Sequence, residues 1–230
     1  IAASSNELRA LLKAADVEMA PGETLKTFNV ASAITGSFKT LSLTNLTLVL
    51  DDITGKGTAG IDLTGDRPKI TGNLDMGPLD LSPFLGDSDQ AANPKQTGAG
   101  WSKEPLDLAG LKAVDADVQI TTSALTVGKV KLTDAALATK LNQGVLTADL
   151  SKFKAFGGDW NGKLGVNAQG ATPGVDFTMN GSGVGMSSLL GTLAGFDKLS
   201  GTGGFQVTGA ATGNSINDIM NALDGKVTTN

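Results

Sequence analysis

The sequence predicts a mainly β, repeat-built protein: a twisted and curved, largely antiparallel sheet that forms an open apolar groove, with a few short helices at the repeat ends. Three observations lead to this expectation. Short apolar–polar alternations recur along the chain, glycine-containing turn signals separate them, and parts of the sequence repeat. Period-two alternation is typical of half-buried strands, and self-similarity of this kind indicates an array of stacked units rather than one closed globule.

The alternation is regular in several stretches. Residues 114–121, 146–150 and 175–180 carry an apolar side chain at every second position, which predicts strands with one apolar face. Within residues 41–50 the apolar positions change from odd to even numbers at Thr44-Asn45. We therefore expect a bulge or a tight turn at that point of the strand.

Turns are expected where residues that tolerate a positive φ stand together. Asn161-Gly162, Asn180-Gly181 and Gln143-Gly144 have this character. We interpret each of them as the turn between two strands.

Helices are expected to be few and short. Ser4 and Glu7 have capping-box spacing ahead of an apolar run, and Ser82-Pro83 opens a second short helix with proline at its first position. Two more helices are predicted near residues 187–195 and 215–223. A doubly wound α/β fold would need a helix after every strand, and this sequence does not provide them.

The repeats suggest a domain organisation. Residues 70–86 resemble residues 175–191, and residues 28–36 resemble residues 205–213. A polar stretch with Pro94 and several glycines interrupts the pattern, as linkers do. We predict a first β-repeat unit with an N-terminal helix, a flexible polar connector and a second β-repeat unit, and we expect the chain to be a fragment of a longer protein. The predicted bounds are 1–86 for the first unit, 87–110 for the connector and 111–230 for the second unit.

Composition removes several function classes. The 230 residues include no Cys, His or Tyr, and the net charge is −5. The chain therefore lacks the Cys and His ligands of zinc sites. It also lacks the residues for Ser-His-Asp or Cys-His catalysis. An acidic chain also lacks the basic surface of a nucleic-acid binder. We expect no catalytic residues, no metal site and no cofactor.

The remaining chemical motifs each have a simpler interpretation. Gly181-Ser-Gly183-Val-Gly185 departs from the dinucleotide-binding spacing, and a strand-to-helix turn explains it. Asp115 and Asp117 share one face of a strand, as solvated side chains do, and no calcium-loop pattern surrounds them. Trp160 either covers one end of the sheet or meets a lipid headgroup at a polar–apolar boundary, and we favour the first.

Several longer stretches are each a weak motif, but their combination and order along the chain are a more specific signal of a protein family. They are Ser5-Asn-Glu-Leu-Arg-Ala-Leu-Leu followed by Pro21-Gly22 and Phe28; Leu41-Ser-Leu-Thr-Asn-Leu-Thr-Leu, Gly60-Ile-Asp-Leu, Arg67-Pro-Lys-Ile-Thr-Gly-Asn-Leu and Leu79-Asp-Leu-Ser-Pro-Phe-Leu; and Trp101-Ser-Lys-Glu-Pro-Leu-Asp-Leu-Ala-Gly-Leu, Gly157-Gly-Asp, Gly170-Ala-Thr-Pro and Leu199-Ser-Gly-Thr-Gly.

Together these stretches resemble the C-terminal region of AsmA-family proteins of Gram-negative bacteria, a group related to TamB-type and bridge-like lipid transfer proteins. The resemblance implies a periplasmic location and a parent protein that an N-terminal helix, outside this chain, tethers to the inner membrane. It also implies a long β-sheet whose apolar inner face carries phospholipid acyl chains between the two membranes, and a role in outer-membrane homeostasis. It implies no catalytic residue.

Aliphatic side chains on the alternating face suit this role, because they hold alkyl chains without directional contacts at roughly 0.8 kcal/mol per buried methylene. The alternative is a structural or scaffold module for envelope or outer-membrane protein assembly, in which the same face closes into a dry core and binds envelope protein partners. A second sheet or helices covering the apolar face would favour this alternative. The side chains predicted to face lipid are Val118, Ile120, Leu132, Leu137, Leu146, Leu150, Val166, Phe177 and Val207.

Overall fold

The structure is a computed structural model, and it describes residues 2–7, 26–80, 101–196 and 198–229. Strands account for most of these residues, and the helices are short. The strands are β1 (Ala2–Ser5), β2 (Phe28–Gly36), β3 (Thr40–Leu50), β4 (Ile53–Asp62), β5 (Lys69–Met76), β6 (Leu79–Asp80), β7 (Asp115–Val127), β8 (Val130–Asn142), β9 (Val145–Ala155), β10 (Gly158–Asn167), β11 (Gly174–Gly185), β12 (Thr202–Thr212) and β13 (Asp224–Thr229). The helices are α1 (Ala109–Ala113), α2 (Met186–Ala194) and α3 (Ile216–Ala222).

All the strands in the described ranges belong to one open sheet, and they follow one another across it in sequence order, except that β5 lies beside β7 and β6 pairs only with β7. Their pairing is antiparallel, except that β5 and β6 run parallel to β7. Since β5 pairs with the first part of β7 and β6 with its last part, β6 continues the line of β5. The predicted fold class, a mainly β and largely antiparallel sheet with a few short helices, is confirmed.

The strand ends form two rims. The rim that carries the turns at residues 36–40, 62–69, 142–145 and 167–174 is here called the lower rim. The opposite rim is called the upper rim. Because β5 and β7 are parallel, the chain must return from the upper to the lower rim between them. Residues 101–114 form the described part of this return.

The phase change in β3 is a bulge, as predicted. The register of β3 against β4 shifts between Leu43 and Leu46, and Asn45 has φ 53°. Asparagine tolerates this left-handed conformation better than most residues. The bulge returns the apolar side chains on both sides of it to the same face of the sheet.

The turn predictions have mixed outcomes. Gln143-Gly144 forms the β8–β9 turn with φ 51° and 81°, which confirms it. The other predictions were wrong, because Asn161-Gly162 lies inside β10 and Asn180-Gly181 inside β11. These glycines serve packing instead: a Cβ at Gly181 would lie 2.8 Å from the Trp160 ring, and one at Gly162 would lie 2.8 Å from Met179 Sδ.

The helices predicted near residues 187–195 and 215–223 correspond to α2 and α3. The helix α2 ends at Gly195, which is left-handed with φ 65°. The hydroxyl of Ser215 caps α3 by accepting a hydrogen bond from the Asp218 N–H at 3.1 Å. Ser4, the predicted cap of an N-terminal helix, lies in β1, and the Glu7 N–H donates to the Ser5 hydroxyl at 3.0 Å. The apolar run predicted to form this helix, from residue 8 onward, lies outside the described residues.

The helix predicted at Ser82-Pro83 and residues 87–100 of the connector also fall outside the described residues. The sheet continues from β5 to β7, across both predicted repeat units. The division into units at 1–86, 87–110 and 111–230 remains a prediction.

Candidate functional site

One face of the sheet is apolar over nearly its whole width. Directly paired residues point to the same side of a sheet, so the register defines rows of neighbouring side chains. Valine, leucine, isoleucine, alanine, glycine, phenylalanine and methionine make up these rows, and Thr139 interrupts the second. From the lower rim inward, the rows are Gly36, Leu41, Ile61, Ile70, Ala116, Leu141, Leu146, Val166, Val175 and Ala211; then Ile34, Leu43, Ala59, Gly72, Val118, Thr139, Ala148, Leu164, Phe177 and Gly209; then Leu46, Gly57, Leu74, Ile120, Leu137, Leu150, Gly162, Met179 and Val207.

The opposite face is polar. Lys163 and Asp149 are directly paired on β10 and β9, and their charged atoms lie 3.2 Å apart. Side-chain amides form a ladder over β10, β11 and β12, in which Asn180 donates to Asn161 at 2.9 Å and Gln206 donates to Asn180 at 3.1 Å. Exposed ion pairs of this kind contribute little stability, but they keep this face hydrated.

The structure places the predicted lipid-facing side chains together. Eight belong to the apolar rows, and Leu132 packs with Leu150 and Met179 around the buried residues Ala135, Phe153 and Ala155. All are half-buried, so each still exposes part of its surface to solvent. Their contact with lipid remains a prediction, as does the groove.

Our prediction omitted the N-terminal half of the same face. Leu41, Leu43, Leu46, Ile61 and Ile70 join the rows on β3, β4 and β5. The alternation in 41–50 already signalled part of this set. The phase change at the β3 bulge and the glycines of β4 obscured the rest, because periodicity alone cannot align strands across such interruptions.

Among the described residues, this apolar face has no second sheet opposite it, since every strand there belongs to the one sheet. The helix α3 covers a small part of it. A Cβ at Gly209 would lie 3.2 Å from Leu223 Cδ1, directly after α3, and 2.6 Å from the Phe177 ring. Glycine at this position lets the aromatic ring and the chain after α3 approach the sheet closely.

Aromatic side chains stack on the apolar face near the upper rim of β9–β12. The Trp160 ring stacks between Phe153, with centroids 6.1 Å apart, and Phe205, at 6.5 Å. The indole N–H donates to the Ala155 carbonyl at 3.0 Å. The polar group of Trp160 is thus satisfied within the fold, which supports the interpretation that it covers one end of the sheet.

The carboxylates singled out in the sequence have structural partners. Asp115 accepts from the Arg67 guanidinium at 3.1 Å and from the Gln143 N–H at 2.8 Å, which ties three lower-rim segments together. The N–H and hydroxyl of Thr64 both donate to Asp62, and these bonds hold the pKa of that carboxyl below its usual value. In the described ranges no group of three or more carboxylates is arranged to hold a metal ion.

A family model described as the AsmA family matches residues 2–230. The chain belongs to the AsmA family. Comparison with curated proteins and with solved structures gave no match. Membership in the AsmA family connects the chain with the cell envelope and suggests a role related to lipid transport.

In this AsmA-family chain the most extensive surface feature of the described residues is a one-sided apolar face spanning the sheet. None of the helices in the described ranges has the length and hydrophobicity of a membrane span.

Proposed function

We propose that this chain is a non-enzymatic periplasmic segment of an AsmA protein, and that it supports phospholipid movement between the inner and outer membranes. The acyl chains lie on the apolar face, and the polar face contacts water. The parent protein is tethered to the inner membrane by a segment outside this chain. The observation that carries the proposal is the set of apolar rows, broken only by Thr139 among the directly paired positions described above, on one face of a single sheet.

The chemistry of the face favours an alkyl occupant. Its rows consist mainly of aliphatic side chains, which provide contact area without hydrogen bonds that would fix one ligand in place. Each methylene transferred from water to such a surface contributes roughly 0.8 kcal/mol, so a long acyl chain gains several such increments. A ligand held by many equivalent contacts can move along the sheet, because each step exchanges similar contacts.

The experiment is native mass spectrometry of the purified chain, followed by solvent extraction and lipid analysis. We expect co-purified phospholipid. A triple valine-to-threonine variant keeps side-chain volume but places hydroxyls among the apolar rows, so it is expected to lose this lipid while circular dichroism stays unchanged. The three changes are Val118→Thr, Val166→Thr and Val207→Thr.

The matched control makes the reverse substitution, threonine to valine, on the polar face of β9, β11 and β12. It carries Thr147→Val, Thr178→Val and Thr208→Val, whose positions pair with polar-face neighbours. This control is expected to retain lipid. A lipid-free wild-type chain would contradict the proposal and favour the scaffold role with a dry core, as would equal lipid content in the two triple variants.

A further inference from the structure

In the described ranges, a chain segment outside the sheet borders the apolar face along β7–β12 but not along β2–β5. Residues 102–114, here called the strap, form the described end of the return connection from β6 to β7. At one end Asn217 N–H donates to the Ser102 carbonyl at 2.9 Å, and Leu106 N–H donates to the Asn214 carbonyl at 2.8 Å. Between these bonds Pro105 pairs with Ser215 in an isolated antiparallel bridge. The strap is therefore fastened to the start of α3, directly after β12.

The other end of the strap is fastened near β7. The Arg67 guanidinium donates to the Lys112 carbonyl at 3.3 Å, and Asp115 N–H donates to the Pro68 carbonyl at 2.8 Å. In between, a Cβ at Gly144 would lie 3.4 Å from Lys112 Cγ, so the strap also passes the β8–β9 turn.

The length of the strap fits this path. The distance from β7 to β12 is about 24 Å, since five strand spacings of about 4.8 Å separate them. Thirteen residues can extend over about 40 Å, which leaves enough chain for the single turn of α1. The strap thus runs along the lower rim of β7–β12.

The strap has an apolar and a polar side. Leu106, Leu108 and Leu111 are half-buried, whereas Asp107 and Lys112 are exposed. The apolar rows of β7–β12 begin at the rim along which the strap runs, and two residues of the first row there, Leu141 and Ala211, are buried at 7% and 8% exposure. The strap thus borders the covered lower-rim end of these rows.

No described segment borders the lower rim of β2–β5 in the same way. On the first and second rows there, Ile34, Ile61 and Ile70 are 37%, 43% and 39% exposed, and Phe38 in the adjacent turn is fully exposed. Among the side chains described in β2–β6, Leu46 is the one buried hydrophobic residue, and the other buried hydrophobic residues of the described ranges belong to the C-terminal half. Leu164, 40% exposed, is an exception on the strapped section.

We propose that phospholipid acyl chains enter and leave the apolar face over β2–β5, and that they reach the strapped section over β7–β12 by moving along the sheet. This inference rests on the proposed function and adds to it the place of lipid exchange. The strap borders the lower rim of β7–β12, and the Phe153–Trp160–Phe205 stack lies near the upper rim of β9–β12. The open section is therefore the less obstructed path for an acyl chain between membrane and face.

The test follows the time course of lipid cross-linking at two positions in the same row. Photoreactive benzoylphenylalanine replaces either Ile61 in the open section or Leu146 in the strapped section, and Thr147, on the polar face, serves as the control position. Each lipid-stripped protein is mixed with phosphatidylethanolamine–phosphatidylglycerol vesicles and illuminated after increasing delays. We expect lipid adducts at Ile61 first, at Leu146 later, and none at Thr147.

Two further variants and a control distinguish the routes to Leu146. Ile70→Asp places a charge on β5, the strand of the open section that pairs with β7, so it is expected to slow formation of the Leu146 adduct. The control, Thr71→Asp on the polar face of the same strand, is expected to leave that rate unchanged. A strap lock combines Pro105→Cys with Ser215→Cys, whose positions are bridge partners in a chain that has no other cysteine. Both forms of the lock lack the Ser215 cap of α3, so comparing the oxidised with the reduced form isolates the effect of the disulfide. Oxidation is expected to leave the rate of lipid cross-linking at Leu146 unchanged.

The outcomes separate the two proposals. Simultaneous adducts at Ile61 and Leu146, or a Leu146 rate that falls on oxidation of the lock, would overturn the entry route and leave the lipid-binding function standing. Absence of adducts at both apolar positions would overturn the proposed function itself.

Discussion

At the scale of single residues, three positions in β10, β11 and β12 require glycine because a neighbouring side chain occupies the space of a Cβ, and not because the backbone has a positive φ. Gly181 lies under the Trp160 ring, Gly162 beside Met179 and Gly209 beside Phe177. A side chain at any of these positions would compete for space with a large residue of the apolar face. These glycines allow flat aromatic and flexible thioether side chains to lie close to the sheet.

The substitution Gly181→Ala tests this packing role. Its Cβ would lie 2.8 Å from the Trp160 ring, and overpacking of this kind costs about 1–3 kcal/mol of unfolding free energy. Urea denaturation followed by tryptophan fluorescence measures the change.

Gly110→Ala in α1 is the control for that experiment, because nothing lies within 4 Å of a Cβ there. It is expected to stabilise the protein by about 0.5–1 kcal/mol through the lower entropy of the unfolded chain. Equal effects of the two changes would show that Trp160 is not seated on Gly181.

At the scale of elements, the β3 bulge decides which side chains the strand adds to the apolar face. Leu41 and Leu43 precede it, and Leu46, Leu48 and Leu50 follow it in the opposite phase. A regular strand would turn one of these groups to the polar face, since a shift of one residue exchanges the faces. The bulge is thus the device that keeps the N-terminal half of the apolar face continuous.

Substitutions at Asn45, which has φ 53°, test the bulge. Asn45→Gly is expected to be neutral within about 0.5 kcal/mol, whereas Asn45→Val is expected to cost about 1–2 kcal/mol because a β-branched residue is strained in the left-handed region. Thermal unfolding of the two variants gives the comparison, and the same loss in both would contradict the bulge conformation.

At the scale of the whole molecule, burial is unequal along one continuous sheet. In the described ranges the buried hydrophobic residues of the C-terminal half include Ala135, Leu141, Phe153, Ala155 and Val184, whereas Leu46 is the one among the side chains described in β2–β6. Buried apolar area is the main stabilising contribution to a fold. The Arg67–Asp115 contact and the parallel β5–β7 pairing join the two halves.

Hydrogen exchange is expected to reveal this inequality. Regions with few buried apolar contacts open locally at lower free energy than the core, so amides of β2–β4 should exchange faster than those of β8–β11. Mass spectrometry of peptides after deuterium labelling measures it. Uniform protection over the whole sheet would contradict the expectation and indicate a single cooperative unit.

The sequence by itself determined the strand-rich fold class, the short helices α2 and α3, the bulge at Thr44-Asn45 and the apolar character of the predicted side chains. These features are local, because period-two alternation and turn or capping residues act within a few positions. The same local reasoning failed at Asn161-Gly162 and Asn180-Gly181, where the need for glycine comes from a neighbouring strand.

Tertiary structure alone decided how the strands align. The parallel pairing of β5 with β7, the register rows that unite Ile61 with Leu146, and the path of the strap from α3 to Arg67 all depend on contacts between residues distant in sequence. Alternation assigns a side chain to a face of its own strand but does not say which strand lies beside it. The extent of the apolar face follows from that pairing, and its division into open and strapped sections follows from the hydrogen bonds that fasten residues 102–114 along one rim.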